Sequence, residues 1–147
     1  ATSGTITEVT TLGGAPVSLS DGNVTLTNAT HSGRVLLVPD GGQDNTYTLP
    51  APIAGSMFRF VYAGGAADAT DAIIITPGNT NFYIGGITFL DTDGNAISSV
   101  FSNGSSNSSI QFNVPAGFDV TIMGLNTTNY QIFGNATSTT APAFADQ

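Results

Sequence analysis

Residues 47–62, Tyr-Thr-Leu-Pro-Ala-Pro-Ile-Ala-Gly-Ser-Met-Phe-Arg-Phe-Val-Tyr, limit the folds open to this chain more than any other stretch. Pro50 and Pro52 lack the N–H that a strand ladder needs, so a strand that runs to Leu49 stops there. Gly55 then lets the backbone turn without a Cβ penalty. The segment therefore predicts a corner between two strands.

The strand after this corner alternates in character. Phe58, Phe60 and Tyr62 point to one face, and Arg59 points to the other. Each aromatic side chain buries roughly 150–250 Å², so we predict that the aromatic face lies at the centre of a core. We expect the face with Arg59 to meet water, a carboxylate or a partner subunit.

A second corner of this kind occurs at residues 114–122. A predicted strand ends at Pro115, Gly117 makes the turn, and an alternating strand follows through Ile122. Two such corners predict a β-fold built from two sheets.

Composition excludes several classes of partner. The 147 residues include two Arg, no Lys and no Cys, and the formal net charge is −8. Such a chain cannot supply the phosphate contacts on which nucleic-acid binding depends, and an anionic membrane surface would repel it. Without Cys, disulfides and thiolate metal sites are also excluded. We therefore predict no nucleic acid, no membrane and no cofactor as partners.

Short apolar runs recur about every 8–12 residues along the chain, and none has a convincing helical period. We predict about ten short strands in an all-β, two-layer sandwich or jelly-roll-like barrel without significant helix. Two hairpins are predicted, one joining residues 17–20 to 24–27 across Asp21-Gly22 and one joining 120–123 to 130–133.

The chain is predicted to form one domain with two loosely attached ends. At this length a single domain buries about 68–70% of its unfolded surface. Residues 1–14 are mostly polar, contain irregularly spaced apolar residues and end in Gly13-Gly14, which predicts an N-terminal arm. Residues 15–135 hold the strands. Residues 136–147 have no periodicity and predict an exposed C-terminal tail.

Catalytic and metal-binding patterns are weak in this sequence. His31 is the single histidine, and nothing in its neighbourhood marks a triad, so we interpret it as a loop residue. The Asp residues fall mostly in predicted turns rather than in the apolar pocket that a glycosidase acid requires. Asp91, Asp93 and Asn95 have the oxygen ligands of a calcium loop, but the sequence that follows lacks the bidentate Glu. We predict a β-turn there, no metal site and no enzymatic activity.

Five aromatic residues of the second half allow two interpretations. At alternating spacing they are typical of core positions, and exposed together they would form a platform for sugars. They are Phe82, Tyr83, Phe89, Tyr130 and Phe133.

The corner from Thr48 through Gly55 to Phe60, the repeated short strands and the closing strand at residues 129–133 resemble small β-structured virion proteins of tailed bacteriophages. These include head-decoration (cement) proteins and fibre or knob modules. The acidic, Lys-free composition and the end of the chain, residues 141–147, are similar to the marine, cyanobacterial-virus branch. The resemblance implies a structural protein, commonly trimeric, on the outer surface of the capsid with the major capsid protein as its partner.

Under this interpretation two regions are candidates for capsid contact. The arm offers Ile6, Val9 and Leu12, which can grip a foreign sheet edge, and the domain offers Arg34 and Arg59. The alternative is a receptor- or glycan-binding fibre or knob module of a phage. A polysaccharide depolymerase is disfavoured by the short chain and by the lack of an evident acid pair.

Overall fold

The computed structural model describes residues 14–65 and 69–147, and the strand prediction is confirmed: the fold is nearly all β. The described residues form twelve strands and one four-residue helix. These are β1 (Val17–Ser18), β2 (Val24–Thr25), α1 (Asn28–His31), β3 (Arg34–Val38), β4 (Asn45–Thr48), β5 (Met57–Tyr62), β6 (Ala72–Ile75), β7 (Phe82–Asp91), β8 (Ala96–Phe101), β9 (Ser109–Phe112), β10 (Gly117–Gly124), β11 (Asn129–Ser138) and β12 (Ala143–Ala145).

Two sheets pack as a sandwich. The larger sheet has seven strands in the order β1-β3-β5-β10-β11-β7-β8, and the smaller has five in the order β12-β9-β6-β4-β2. The core between them takes apolar side chains from both sheets. Its largest fully buried members are Tyr47, Tyr83, Tyr130, Phe58, Phe60, Phe112, Leu26, Leu36, Leu49, Ile74, Ile110 and Ile122.

The first half of the chain winds around this core. Successive strands β1 to β6 alternate between the two sheets, so β1, β3 and β5 become parallel neighbours in one sheet and β2, β4 and β6 in the other. Parallel neighbours need a crossover connection, and here the crossover is a strand of the opposite sheet.

This winding makes the first hairpin prediction wrong. Val17 pairs with Leu36 in the seven-stranded sheet, whereas Val24 pairs with Tyr47 in the five-stranded sheet. The Asp21-Gly22 segment therefore crosses between sheets instead of closing a two-residue turn. The Asp21 carboxylate accepts hydrogen bonds from the Gly42 N–H and the Asn45 Nδ2, both at 3.0 Å. These bonds tie the crossing segment to the connection between β3 and β4.

Both predicted corners carry the chain from the small sheet to the large one. The first joins β4 to β5 and the second joins β9 to β10, which confirms the two-sheet prediction. β5 and β10 then pair antiparallel at the middle of the large sheet, with Phe60 opposite Val120. The predicted alternation in β5 is also confirmed, because Phe58 and Phe60 are fully buried and Tyr62 is nearly so.

The second half is mainly antiparallel. β10 and β11 form the predicted second hairpin, in which Gly124 lies opposite Tyr130. β11 also runs parallel to β7, and β7 folds back onto β8 through the turn at residues 92–95. The turn prediction for Asp91 to Asn95 is confirmed, with the Asp93 N–H donating to Asp91 Oδ1 at 2.9 Å.

Residues 136–147 are not an exposed tail, so this prediction is wrong. β11 runs on to Ser138 with Ala136 buried, and β12 pairs with β9 in the small sheet. The Phe144 ring packs edge-on against Tyr83 at a centroid distance of 6.1 Å. Tertiary contacts therefore fix a segment whose sequence has no periodicity. The predicted arm lies, except for Gly14, outside the described residues.

Candidate binding surface

The outward face of the seven-stranded sheet carries most of the large apolar side chains that are exposed in the described chain. Eight large apolar side chains are exposed in residues 14–65 and 69–147, and six of them lie on this face. We call these six the apolar face: Met57, Ile84, Leu90, Ile97, Phe101 and Phe133. The other two, Ile53 and Leu125, lie in connections.

Strand register places these residues on one face. Directly paired residues of neighbouring strands point the same way, so Met57, Met123, Gln131 and Ile84 form one outward row across β5, β10, β11 and β7. Leu90 and Ile97 form another outward row across β7 and β8.

An ion pair lies among the apolar side chains. Arg59 Nε donates to Asp119 Oδ1 at 2.8 Å and Nη2 donates to Oδ2 at 2.6 Å, so the guanidinium meets the carboxylate with both nitrogens. These hydrogen bonds lower the pKa of the Asp119 carboxyl and raise the pKa of the Arg59 guanidinium. Because the side chains are 51% and 39% exposed, the pair stabilises the fold by at most about 1 kcal/mol. Its clearer effect is to cancel the charge on this face.

A shallow groove runs beside the ion pair. Its lining combines the charged pair Arg59 and Asp119 with the apolar side chains of Met57 and Phe133 and the polar side chains of Thr121 and Asn135. Gly134 lies behind Phe133 with φ +138°, where a Cβ would stand 2.1 Å from the Asp119 carbonyl oxygen. Glycine at this position therefore lets β11 lie close against β10 underneath the groove.

Arg34 and Arg59 do not belong to one site. Arg34 pairs with Phe58, whose side chain points inward, while Arg59 points outward on β5. The Arg34 guanidinium donates from both Nε and Nη2 to the Ala15 carbonyl, so it holds the strand that enters β1. Of the two predicted contact residues that the structure describes, Arg59 is the one that lies among the side chains of the apolar face.

The three arm residues predicted to contact the capsid, Ile6, Val9 and Leu12, lie outside the described residues. Gly14, the first described residue, packs against the Arg34 side chain at the β1 edge of the large sheet. The arm prediction stays a prediction.

Most of the aromatic residues considered as a sugar platform belong to the core. Tyr83, Phe89 and Tyr130 are buried, and the hydroxyls of Tyr83 and Tyr130 donate to the carbonyls of Ile74 and Pro50 at 3.0 and 2.8 Å. Burial raises the pKa of Tyr130 to about 12 and that of Tyr83 well above its ordinary value. Phe82 is half-buried, and Phe133, 46% exposed, is the member most open to solvent, on the outward side.

His31 and the turn carboxylates have structural contacts. His31 Nδ1 accepts from the Thr27 N–H at 3.0 Å at the start of α1. Asp71 accepts from the Val114 N–H at 2.9 Å and from Gln111 Nε2 at 2.6 Å. Among residues 14–65 and 69–147, no three His, Cys, Asp or Glu side chains group as a metal site.

Sequence reasoning missed the β7–β8 half of the apolar face. The signal was available, because residues 84–90 and 97–101 carry apolar side chains in both alternating phases. A strand that is buried on one face needs apolar side chains at every second residue. Apolar side chains at the residues in between therefore indicate an exposed apolar surface.

Comparisons with family models, with curated proteins and with solved structures found no match for this chain. In the part of the chain that the structure describes, no helix is long and apolar enough to cross a membrane.

Proposed function

We propose that this protein is a non-enzymatic structural protein of a phage virion, which decorates the outside of the capsid and stabilises the lattice of the major capsid protein. In this proposal the apolar face lies against the lattice and the rest of the sandwich points outward. Copies stand in threes around local threefold axes of the lattice.

The concentration of exposed apolar side chains on one face carries this proposal. Single exposed apolar residues scattered over a surface are normal, whereas a large contiguous apolar patch on a folded domain marks an interaction site. Asp119 is the one described acid on this face, and Arg59 neutralises it. The other described acids lie in turns, loops or at strand ends, at residues 21, 40, 44, 71, 91, 93 and 146. One face is therefore suited to burial and the remaining surface to water.

Attachment of this kind stabilises a capsid by linkage. A protein that binds the assembled lattice and not its free subunits favours the assembled state by mass action. Because one copy touches several lattice subunits, weak contacts add through effective concentration. The catalytic groups that an enzyme would need are not required for this role.

Replacing Met57 and Phe133 by Lys together tests the attachment surface. Both side chains are outward and exposed, so the variant keeps the core. We expect at least about a tenfold loss of affinity for capsids that lack the protein, because two ammonium groups would be desolvated in the contact. Co-sedimentation with capsids measures it, and electron microscopy shows where the bound copies lie.

The matched control is the double replacement of Ile53 and Thr25 by Lys. It adds the same charge at exposed positions that are not part of the apolar face, and we expect full binding. Equal binding by both variants would contradict attachment through the apolar face. Failure of the unmodified protein to bind any capsid would contradict the decoration proposal as a whole.

The arm is tested separately by deleting residues 1–12. If Ile6, Val9 and Leu12 pair with a capsid sheet edge, the shortened protein folds but binds weakly. Full binding by the shortened protein, combined with loss in the Lys variant, would assign attachment to the apolar face alone.

A glycan-binding fibre or knob module is the second candidate, and the groove favours it. The half-exposed Phe133 ring lies beside the Arg59–Asp119 pair and Asn135, which offers a stacking surface next to hydrogen-bonding groups. Saturation-transfer NMR with host-surface glycans tests this candidate. Signal lost in a Phe133→Ala variant would support the glycan role, and no signal for the unmodified protein would contradict it.

A further inference from the structure

We infer that β8 is a self-association edge: it pairs antiparallel with β8 of a second copy, with Ser99 on the twofold axis. This inference goes beyond the proposed function, because it concerns contact between copies and does not depend on what the apolar face binds.

The backbone of β8 is open along one side. β8 is the last strand of the seven-stranded sheet, and no strand of the described residues pairs with its outer side. The Ser102 N–H donates to the Gly85 carbonyl at 2.9 Å, which fixes the hydrogen-bonding phase toward β7. By the alternation of an antiparallel ladder, Ile97, Ser99 and Phe101 direct their N–H and C=O groups to the open side.

The sequence of β8 is self-complementary in that phase. With Ser99 opposite Ser99 of the second copy, Ile97 lies opposite the second copy's Phe101, and the reverse holds by symmetry. All three residues then form hydrogen-bonded pairs, so every outward backbone group of the edge is satisfied at once. In this register the side chains of Ile97, Ser99 and Phe101 in both copies point to the same face of the joined sheet.

Two side chains in β8 lack a full packing partner among the residues that the structure describes. Ile97 and Phe101 are 74% and 73% exposed, the highest values among the exposed large apolar residues of the described chain. Phe101 lies opposite Gly86 of β7, where a Cβ would stand 2.6 Å from the Phe101 Cβ. Its cross-strand neighbour is therefore bare backbone, and Ile97 of a second copy supplies the missing contact.

Charge favours a second copy and the antiparallel direction. Charged residues, especially Lys, and Pro commonly protect a free strand edge from pairing, and residues 96–101 contain none of them. The end of β8 next to the turn carries two acids, Asp91 and Asp93, whereas the other end, at residues 102–109, has one acid beside it, Asp146, which accepts from Asn107 Nδ2 at 3.3 Å. Antiparallel pairing sets each two-acid end beside the less acidic end of the other copy, and parallel pairing would set the two-acid ends side by side.

Cross-linking through Ser99→Cys tests the geometry, because the natural chain has no Cys to interfere. Across a hydrogen-bonded antiparallel pair the two Cα atoms lie about 5.5 Å apart, within the range of a disulfide. We expect rapid formation of a disulfide dimer under mild oxidation. Ser105→Cys is the control, since it is exposed outside β8 and far from its own symmetry mate in this arrangement.

Sedimentation of the full chain at micromolar to millimolar concentration tests the energetics. We expect a reversible dimer, and Ile97→Lys should weaken it at least about tenfold, because the apolar contact with Phe101 of the second copy is lost and an ammonium group is placed at the edge. Ile53→Lys adds the same charge at an exposed loop position and should leave the dimer unchanged. A protein that stays monomeric, with the Ser99→Cys variant cross-linking no faster than the Ser105→Cys variant, would overturn the inference.

Discussion

Individual side chains in β5 divide sharply between core and solvent. Phe58 and Phe60 are fully buried, while Met57 and Arg59 are exposed on the same strand. The Phe60 ring lies 6.3 Å from Tyr47 of the small sheet, so it joins the two layers. Residues in such positions dominate the stability of a sandwich because they fill the space between the sheets.

We expect Phe60→Ala to lower the free energy of unfolding by about 3–5 kcal/mol, since it removes a buried ring and leaves a cavity. Met57→Ala is the matched control on the same strand, and its effect should stay below about 1 kcal/mol. Urea unfolding measures both. Equal effects of the two substitutions would show that the core does not lie on the aromatic face.

Buried tyrosines make stability depend on alkaline pH. The pKa of Tyr130 is raised from 10.0 to about 12, so the folded state keeps a proton that the unfolded state releases. This contribution is fully present below about pH 10 and is lost as pH rises toward about 12. The raised pKa of Tyr83 extends the loss further.

We therefore expect the free energy of unfolding to fall steadily above about pH 10, the ordinary tyrosine pKa. The Tyr130→Phe variant should show a shallower decline, because one of the hydroxyls with a raised pKa is gone. Urea unfolding at a series of alkaline pH values measures this. An unchanged slope in the variant would contradict the assignment to Tyr130.

At the scale of elements, the β10–β11 hairpin joins the two halves of the large sheet. β10 pairs with β5 from the first half of the chain, which winds around the core, and β11 pairs in parallel with β7 from the mainly antiparallel second half. The two kinds of β-structure therefore join at this hairpin. β10 and β11 can approach each other closely because residue 134 is glycine, since a Cβ there would meet the Asp119 carbonyl oxygen.

We expect Gly134→Ala to destabilise the fold by about 1–3 kcal/mol, because φ is positive and the added Cβ meets backbone. Gly117→Ala in β10 is the matched control, since a Cβ there meets nothing within 4 Å. The control should be neutral or slightly stabilising, by up to about 1 kcal/mol. Thermal unfolding followed by circular dichroism compares them, and a destabilised control with an intact Gly134 variant would contradict this account.

At the scale of the whole molecule, charge and apolar surface are separated. The chain carries a net charge of −8, yet among the described residues the apolar face holds one acid and one base, which neutralise each other. Pairing through β8 would extend this arrangement, because antiparallel strands related by a twofold axis keep equivalent faces on the same side of the sheet. Two copies would then present one continuous apolar surface.

If the apolar face attaches the protein to a capsid, attachment should persist at high salt. Raising ionic strength from about 0.1 M to 1 M shortens the Debye length from about 10 Å to 3 Å and weakens charge-driven contacts, whereas apolar burial is maintained. We expect less than about a tenfold change in affinity, measured by co-sedimentation. Release of the protein at high salt would show that exposed charges drive attachment.

The local character of the strands follows from the amino-acid sequence alone. Alternation in β5 fixed which side chains face the core, and Pro and Gly fixed both corners, because these effects act through a residue's own backbone and its near neighbours. The hairpin at β10 and β11 was predictable for the same reason. So was the outward position of Arg59.

Strand partners were decided by the tertiary structure. Alternation of apolar and polar residues shows which face of a strand is buried, but it does not show which sheet the strand joins. Asp21-Gly22 was therefore misread as a hairpin turn. The end of the chain was misread too, because β12 is fixed by β9 and by the Tyr83 contact rather than by its own pattern. The apolar face exists only once β5, β10, β11, β7 and β8 lie side by side, since its members are distant in sequence and meet through long-range pairing.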